Sequence, residues 1–277
     1  MRDLRGHRAL VTGASSGIGR ELARQLAAMG ADLVIAARRR DRLDELRGEL
    51  EAAHGVTVTC VDVDLARDGA TEKLWQAASA AGPIDICVNN AGFGIFQLFS
   101  DVPLQRNQEM VRLNVLAVTE LSHRFVTAAL DRDRRAYLLN VASTASFQPV
   151  PYFANYAATK HYVLAFSEAL AHELARTQVS VTCLCPGGTW TEFFDTSQQT
   201  LGRMARASML PADKVAAIGL KAMLRGRRSV VTGGMNKLAA WLTRLAPRRM
   251  NGAVAARLAG RPSRTLPGRG TGPDRLR

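Results

Sequence analysis

Tyr156 and Lys160 stand at i and i+4 in the run Tyr156-Ala-Ala-Thr-Lys160, so on a helix they share one face about one turn apart. A tyrosine hydroxyl can hand its proton to the alkoxide left when hydride adds to a carbonyl. With an ordinary pKa near ~10 it is a poor base for the reverse step at neutral pH. A neighbouring cation favours the phenolate, and each unit of pKa lowering corresponds to ~1.4 kcal/mol. The spacing therefore predicts that Lys160 depresses the pKa of Tyr156 and makes it an acid/base.

A second chemical pattern lies near the start of the chain. The apolar run Arg8-Ala-Leu-Val-Thr12 ends in Thr12-Gly13-Ala14-Ser15-Ser16-Gly17-Ile18-Gly19 and passes straight into a stretch with Ile18, Leu22, Leu26 and Met29 at helical spacing. Glycines at a strand-to-helix turn let the backbone approach a pyrophosphate, and the helix N-terminus supplies N–H donors and a favourable dipole. A strand before and a helix after distinguish such a turn from an ordinary tight one. Folds that take NAD place an acid about 20 residues on, for the ribose 2′-hydroxyl. Here that place reads Ala36-Ala37-Arg38-Arg39-Arg40, with no acid. Arginine can clamp a 2′-phosphate through charge-assisted hydrogen bonds. The reading is NADP(H), with Arg38 and Arg39 as contacts and Arg40 as a solvated helix start.

The elements that must position these groups follow from hydrophobic patterning. Apolar β-rich runs at 8–12, 32–36, 56–61, 84–88, 135–141, 179–184 and 229–232 alternate with helical stretches at 17–29, 41–53, 69–81, 106–130 and 156–175. Strands apolar on both faces, alternating with helices, predict a parallel sheet covered on both sides. The fold class is α/β: a single doubly wound Rossmann-type domain with a seven-stranded parallel sheet.

Composition narrows the partners. The net charge is +13, but from Arg244 onward the chain holds nine arginines against Asp274 alone, which leaves only +5 for the rest. Basic character confined to a tail does not make a nucleic-acid-binding face, and no nucleic-acid partner is expected. Cys60, Cys87, Cys183 and Cys185 all lie in apolar strand-like runs with no CxxC pair. They read as buried free thiols, with no metal site expected. With no signal-like apolar core before the first strand and no run near the roughly 20 residues that span a bilayer, the protein is read as cytoplasmic.

The ordered set Thr12-Gly-Ala-Ser-Ser-Gly-Ile-Gly19, Asn89-Asn-Ala-Gly92, Asn114, Ser143, Tyr156-Ala-Ala-Thr-Lys160 and Pro186-Gly187 resembles the short-chain dehydrogenase/reductase family, over about residues 5–235. The resemblance implies that Lys160 also holds the nicotinamide ribose and that Ser143 orients the substrate oxygen. Asn114, a mediocre choice inside a helix, would hold a water linking Lys160 to solvent. Asn90, Ala91 and Gly92 would lie against the adenosine. Asp64, with Leu65, would meet the adenine amine, Asp62 being the alternative. Pro186, Gly187, Thr189 and Thr191 would frame the nicotinamide, though the doublet Gly187-Gly188 departs from the family's Pro-Gly-x. The helices at 106–130 and 156–175 would form the faces of a homodimer or homotetramer.

Loops at about 93–100, 145–153 and 190–210 carry most of the aromatic residues. They predict a bulky apolar ketone or secondary alcohol as substrate, although the same residues could simply pack the domain. The catalytic domain is expected to span 1–235. A helical extension over 236–262 would follow, with Leu238, Trp241, Leu242 and Leu245 on one face, and then a disordered basic tail over 263–277. The extension either covers the core or an oligomer face, or docks peripherally on an anionic membrane. The function expected is hydride transfer between NADP(H) and a hydrophobic ketone or alcohol. A 3-oxoacyl thioester reductase is the alternative, and a non-catalytic NADP-binding sensor the rival of another class.

Overall fold

The computed structural model describes residues 3–193, 197, 209–245 and 247–259. The tail expected at 263–277, and most of the loop expected at 190–210, lie outside the described residues. Strands β1 (Arg8–Thr12), β2 (Asp32–Ala37), β3 (Val58–Asp62), β4 (Ile86–Asn89), β5 (Ala136–Val141), β6 (Val179–Cys185) and β9 (Ser229–Val231) form one sheet in the order β3-β2-β1-β4-β5-β6-β9. Every pairing in it is parallel. A separate short pair, β7 (Thr189–Trp190) and β8 (Leu210–Pro211), sits beyond β6. The seven-stranded parallel α/β sheet is as the patterning predicts.

The helices are α1 (Gly17–Ala28), α2 (Arg40–His54), α3 (Ala70–Ser79), α4 (Leu104–Val111), α5 (Ala117–Leu130), α6 (Ala154–Glu173), α7 (Ala212–Leu224), α8 (Gly234–Leu242) and α9 (Arg248–Ala259). Successive strand residues serve opposite cores, as the period-two pleat requires. Val11, Ile35 and Leu139 join Leu22, Leu26, Leu43, Leu46, Val215 and Leu220 on the face of α1, α2 and α7. Leu10, Val34 and Leu138 join Leu74, Leu121 and Phe125 on the face of α3 and α5. A buried polar chain crosses between the layers: Asn89 donates to Asn140 (2.9 Å) and Ser122 (3.1 Å), and Asn140 donates to Ser167 (3.0 Å).

The stretch expected as one helix over 106–130 is interrupted. A π-helical turn, Arg112–Leu116, joins α4 to α5. Such a turn widens the helix by one residue, and Asn114 within it is fully buried. The poor helix propensity of Asn114 marks that place. β1 and β4 are neighbours at the point where the chain reverses direction across the sheet, and in doubly wound folds ligands bind outside the strand C-termini at such a point.

Candidate active site

A cavity of about 560 Å³ opens at that switch point, lined by residues of the turn after β1, the ends of β2, β4 and β5, α6, and the segment after β6. At the turn, Gly13 (φ +68°) and Gly17 (φ +55°) take left-handed backbone. Gly19 does not line the cavity. A Cβ there would come within 2.3 Å of the Gly13 carbonyl and 2.4 Å of Asn90 Nδ2, so only glycine lets α1 start this close to β4. Asn90 Nδ2 in turn donates to the Thr12 carbonyl (2.9 Å) and the Gly13 carbonyl (3.3 Å). Asn90 therefore fastens the glycine turn while also lining the cavity.

The N-cap of α1, Ser16, makes no side-chain capping bond, and Ser15, Ser16, Gly17 and Ile18 line the cavity. A helix of 12 residues whose first N–H groups have no side-chain cap fits an anionic diphosphate.

At the end of β2, Arg38 is exposed, lines the cavity and has no hydrogen bond or ion pair among the described residues. Arg39 donates to Ser15 Oγ (3.1 Å) and to Glu192 (2.9 Å). Arg42 also donates to Glu192. Arg42 and then Arg39 hold the Glu192 carboxyl below the usual carboxylate range. Of the aspartate doublet, Asp64 lines the cavity and accepts from the Ala66 amide (3.1 Å), whereas Asp62 is exposed and lies 3.7 Å from Arg40. Leu65, Ala91 and Gly92 complete this side.

Tyr156 and Lys160, both on α6, are buried to 9 % and 5 % exposure. The Tyr156 ring lies between Phe153 (5.2 Å between centroids) and Phe193 (5.4 Å), and Gly94 packs so close that a Cβ would meet the ring at 2.9 Å. Burial among these rings pushes the Tyr156 hydroxyl up to about 12, against a hydrogen bond with Ser143 that works the other way. Ser143 is the N-cap of the short 3₁₀ turn after β5 and accepts from the Ala145 amide (3.1 Å).

The expected depression of Tyr156 by Lys160 is corrected here. Lys160 Nζ donates to the Val141 carbonyl (2.8 Å) and stands 5.9 Å from the Tyr156 ring centroid. Burial also lowers Lys160 itself to about 8. Lys160 does not figure among the causes of the Tyr156 shift, and desolvation drives each group toward its neutral form.

Asn114 does not line the cavity. Its Nδ2 donates to the Phe93 carbonyl (3.0 Å) and Thr159 Oγ1 (3.0 Å), and its Oδ1 accepts from the Phe93 amide (3.2 Å). It thus ties the loop after β4 to α6, one residue before Lys160. A Cβ on Gly92 would meet Asn114 Oδ1 at 3.0 Å and Lys160 Nζ at 3.4 Å.

Beyond β6, Pro186, Gly187, Gly188, Thr189 and Thr191 line the cavity. Gly187 packs against Asn236 of α8, and a Cβ there would come within 2.1 Å of Asn236 Nδ2 and force that side chain to move. The predicted aromatic loops divide between two roles. Phe96 is buried in a cluster with Met110, Phe153 and Tyr156, while Phe93, Val150, Phe153 and Phe193 line the cavity. Trp190 and Phe99 are exposed. Sequence reasoning did not single out Glu192 or Ala255 of α9, whereas Phe193 belongs to the aromatic loop expected at the cavity. Glu192 lies far in sequence from the arginines it meets, and no local pattern announces Ala255. Cys183 and Cys185 face the same side of β6, their sulfurs 3.9 Å apart. No described helix is long and apolar enough to cross a membrane.

The Lys160 shift has a signed consequence. Its folded pKa of about 8 lies below the ordinary 10.5, so between these values the unfolded chain binds more protons, and raising the pH through this window stabilises the fold. The stability advantage of Lys160→Met over the parent is therefore expected to shrink between about pH 8 and 10.5, by on the order of 3 kcal/mol. Urea unfolding of both proteins across that window checks this, and a constant difference would refute the burial assignment.

Residues 7–202 match the short chain dehydrogenase family. The chain is 38 % identical over 182 residues to 1-deoxy-11-beta-hydroxypentalenate dehydrogenase of Streptomyces exfoliatus, covering 65 % of this chain and 66 % of that one. It is 28 % identical over 218 residues to 7beta-hydroxysteroid dehydrogenase of Clostridium sardiniense, covering 77 % and 81 %. Among solved structures, a short-chain dehydrogenase from Sphingobium yanoikuyae in complex with NADPH superposes with TM-score 0.77 at 27 % identity, covering 88 % and 94 %. A 3-ketoacyl-(acyl-carrier-protein) reductase from Brucella melitensis complexed with NADH gives 0.76 at 28 %, covering 84 % and 99 %. Fold, site geometry and these likenesses together place the chain in the short-chain dehydrogenase/reductase family, as an oxidoreductase acting on alcohol and carbonyl groups.

Proposed function

We propose that the protein reduces a hydrophobic ketone with NADPH, and that Tyr156 is the proton donor. The observation that carries the reading is the place of Tyr156: its phenol lines the cavity beside Ser143 and Lys160 and is protonated at neutral pH, so it can give a proton to the alkoxide that hydride addition creates. NADPH supplies the hydride when bound. In this reading Ser143, which lines the cavity beside Tyr156, orients the substrate oxygen, and Lys160 holds the nicotinamide ribose. Asn114 secures the loop and helix on which Tyr156 and Lys160 depend. Gly13, Ser15, Ser16, Gly17, Ile18 and the N-terminus of α1 would receive the diphosphate. Asp64, Leu65, Asn90, Ala91 and Gly92 would hold the adenosine, with Pro186, Gly187, Thr189 and Thr191 at the nicotinamide.

The apolar rim of Phe93, Val150, Phe153 and Phe193 supports a bulky apolar substrate, in keeping with the 1-deoxy-11-beta-hydroxypentalenate and 7beta-hydroxysteroid for which the two relatives are named. The second reading, a 3-oxoacyl thioester reductase, draws on the likeness to the ketoacyl reductase. A panel spanning bulky ketones, small polar ketones and 3-oxoacyl thioesters separates these readings by NADPH consumption. Bulky ketones are expected to be reduced best, and Tyr156→Phe should slow the best substrate by roughly 10²- to 10⁴-fold. A preference for small polar ketones sinks the substrate assignment, and unchanged turnover in the variant sinks the role of Tyr156.

The choice of NADPH rests on Arg38, exposed at the cavity with no partner among the described residues, where the end of β2 carries no NAD-type acid. Arg38→Asp is expected to weaken NADPH binding by about 10- to 100-fold, through a lost charge-assisted hydrogen bond and added repulsion, and to affect NADH far less. Equal losses for the two dinucleotides would overturn the cofactor assignment.

The extension beyond β9 does not cover the core with its apolar face. Leu238, Trp241, Leu242 and Leu245 are exposed, and Ala240 alone of the described α8 side chains is buried. An exposed apolar patch of this kind marks an interface, and we assign it to self-association in a homo-oligomer. Sedimentation of the protein should give a dimer or tetramer that Trp241→Glu weakens. A monomer that instead co-sediments with anionic vesicles in a salt-sensitive way would transfer the face to a membrane.

A further inference from the structure

Glu192 is an acid that the sequence places far from the cofactor's adenosine end and the fold brings to it. Thr191 packs its methyl against the glycine turn, where a Cβ on Gly17 would come within 2.9 Å of Thr191 Cγ2. The next residue, Glu192, also lines the cavity and meets the start of α2. There the Glu192 carboxylate accepts from Arg39 Nη1 on one oxygen (2.9 Å) and from Arg42 Nη1 on the other. Arg39 is also held by Ser15 Oγ (3.1 Å), a member of the glycine turn. Two of the arginines beside Arg38 thus carry a carboxylate between them, while Arg38 carries no partner among the described residues.

We propose that Glu192 is a specificity-determining residue: it occupies Arg39 and Arg42 as an internal rival of the cofactor's 2′-phosphate and so limits the preference for NADPH over NADH. The inference rests on the reading that the 2′-phosphate lies at the Arg38 end. Chemistry favours exchange. The side chains of Arg39, Arg42 and Glu192 are all more than a third exposed, and exposed ion pairs are weak. A phosphate carries more charge and more acceptor oxygens than a carboxylate, and it makes stronger bonds to guanidinium groups. NADPH must therefore displace Glu192 from at least Arg39, whereas NADH has no group that competes for it. Removing the Glu192 charge leaves both arginines free for the phosphate.

The test is fluorescence titration of the intact protein with NADPH and with NADH, for the parent, Glu192→Gln, and Glu192→Gln combined with Arg42→Ala. In Glu192→Gln the Kd for NADPH is expected to fall by about 3- to 10-fold, with the Kd for NADH moving less than about twofold. Adding Arg42→Ala should return most of that gain, a pattern that a general change in folding would not produce. An unchanged or weaker NADPH affinity in Glu192→Gln overturns the proposal, as does equal tightening of both dinucleotides. The underlying reading is judged separately, from the parent's own preference and its dependence on Arg38. A parent that prefers NADPH through Arg38 but shows no shift in Glu192→Gln defeats the role of Glu192 alone. A parent indifferent to the 2′-phosphate defeats the reading, and the shift in Glu192→Gln still decides the proposal.

Discussion

Three hydrogen bonds of one buried amide hold this site together. Asn114 gives both its donors and its acceptor to fixed partners, the Phe93 backbone on one side and Thr159 on the other. The loop after β4, the π-turn between α4 and α5, and the helix carrying Tyr156 and Lys160 are thereby one unit. Asn114 lies within that π-turn with its side chain fully buried. A fully buried amide with every polar atom satisfied specifies a unique arrangement, whereas an unsatisfied one would cost about 1–3 kcal/mol. Gly92 sits in the same packing, where a Cβ would lie 3.0 Å from Asn114 Oδ1 and within ordinary contact of Lys160 Nζ.

Around that unit the domain keeps titratable groups out of water. Tyr156 is walled by Phe153 and Phe193, and Lys160 is answered by one backbone carbonyl. Both are driven toward neutrality, so the resting site holds a protonated phenol beside a lysine that gives up its charge easily. Such displaced pKa values gather where proton transfer is needed. They cost stability locally, and the two apolar cores on either face of the sheet must offset that cost.

The opposite end of the cavity runs on different physics. Arg39, Arg42 and Glu192 are exposed, exchangeable and screened by solvent. Binding there is a contest among charges, while chemistry at Tyr156 depends on burial. One cleft thus joins a wet, electrostatic end that can distinguish cofactors to a dry end that can move a proton.

The sequence by itself determined the alternation of strands and helices, the seven-stranded parallel sheet, the glycine turn before α1 and the Tyr156–Lys160 face of α6. Each of these is written in local periodicity or in residues a few positions apart, where backbone geometry fixes what can meet. Tertiary structure decided the rest. That Gly19 answers to Asn90, that Gly187 answers to Asn236 and that Glu192 reaches Arg39 are contacts between distant segments, and no local pattern encodes them. The direction of the Tyr156 shift was also misjudged from spacing. The i,i+4 rule gives proximity, but it says nothing of burial, and burial is the larger cause. The broken helix at Asn114 was legible only as one residue of poor propensity, because its purpose lies in Phe93 and Thr159, which only folding brings to it.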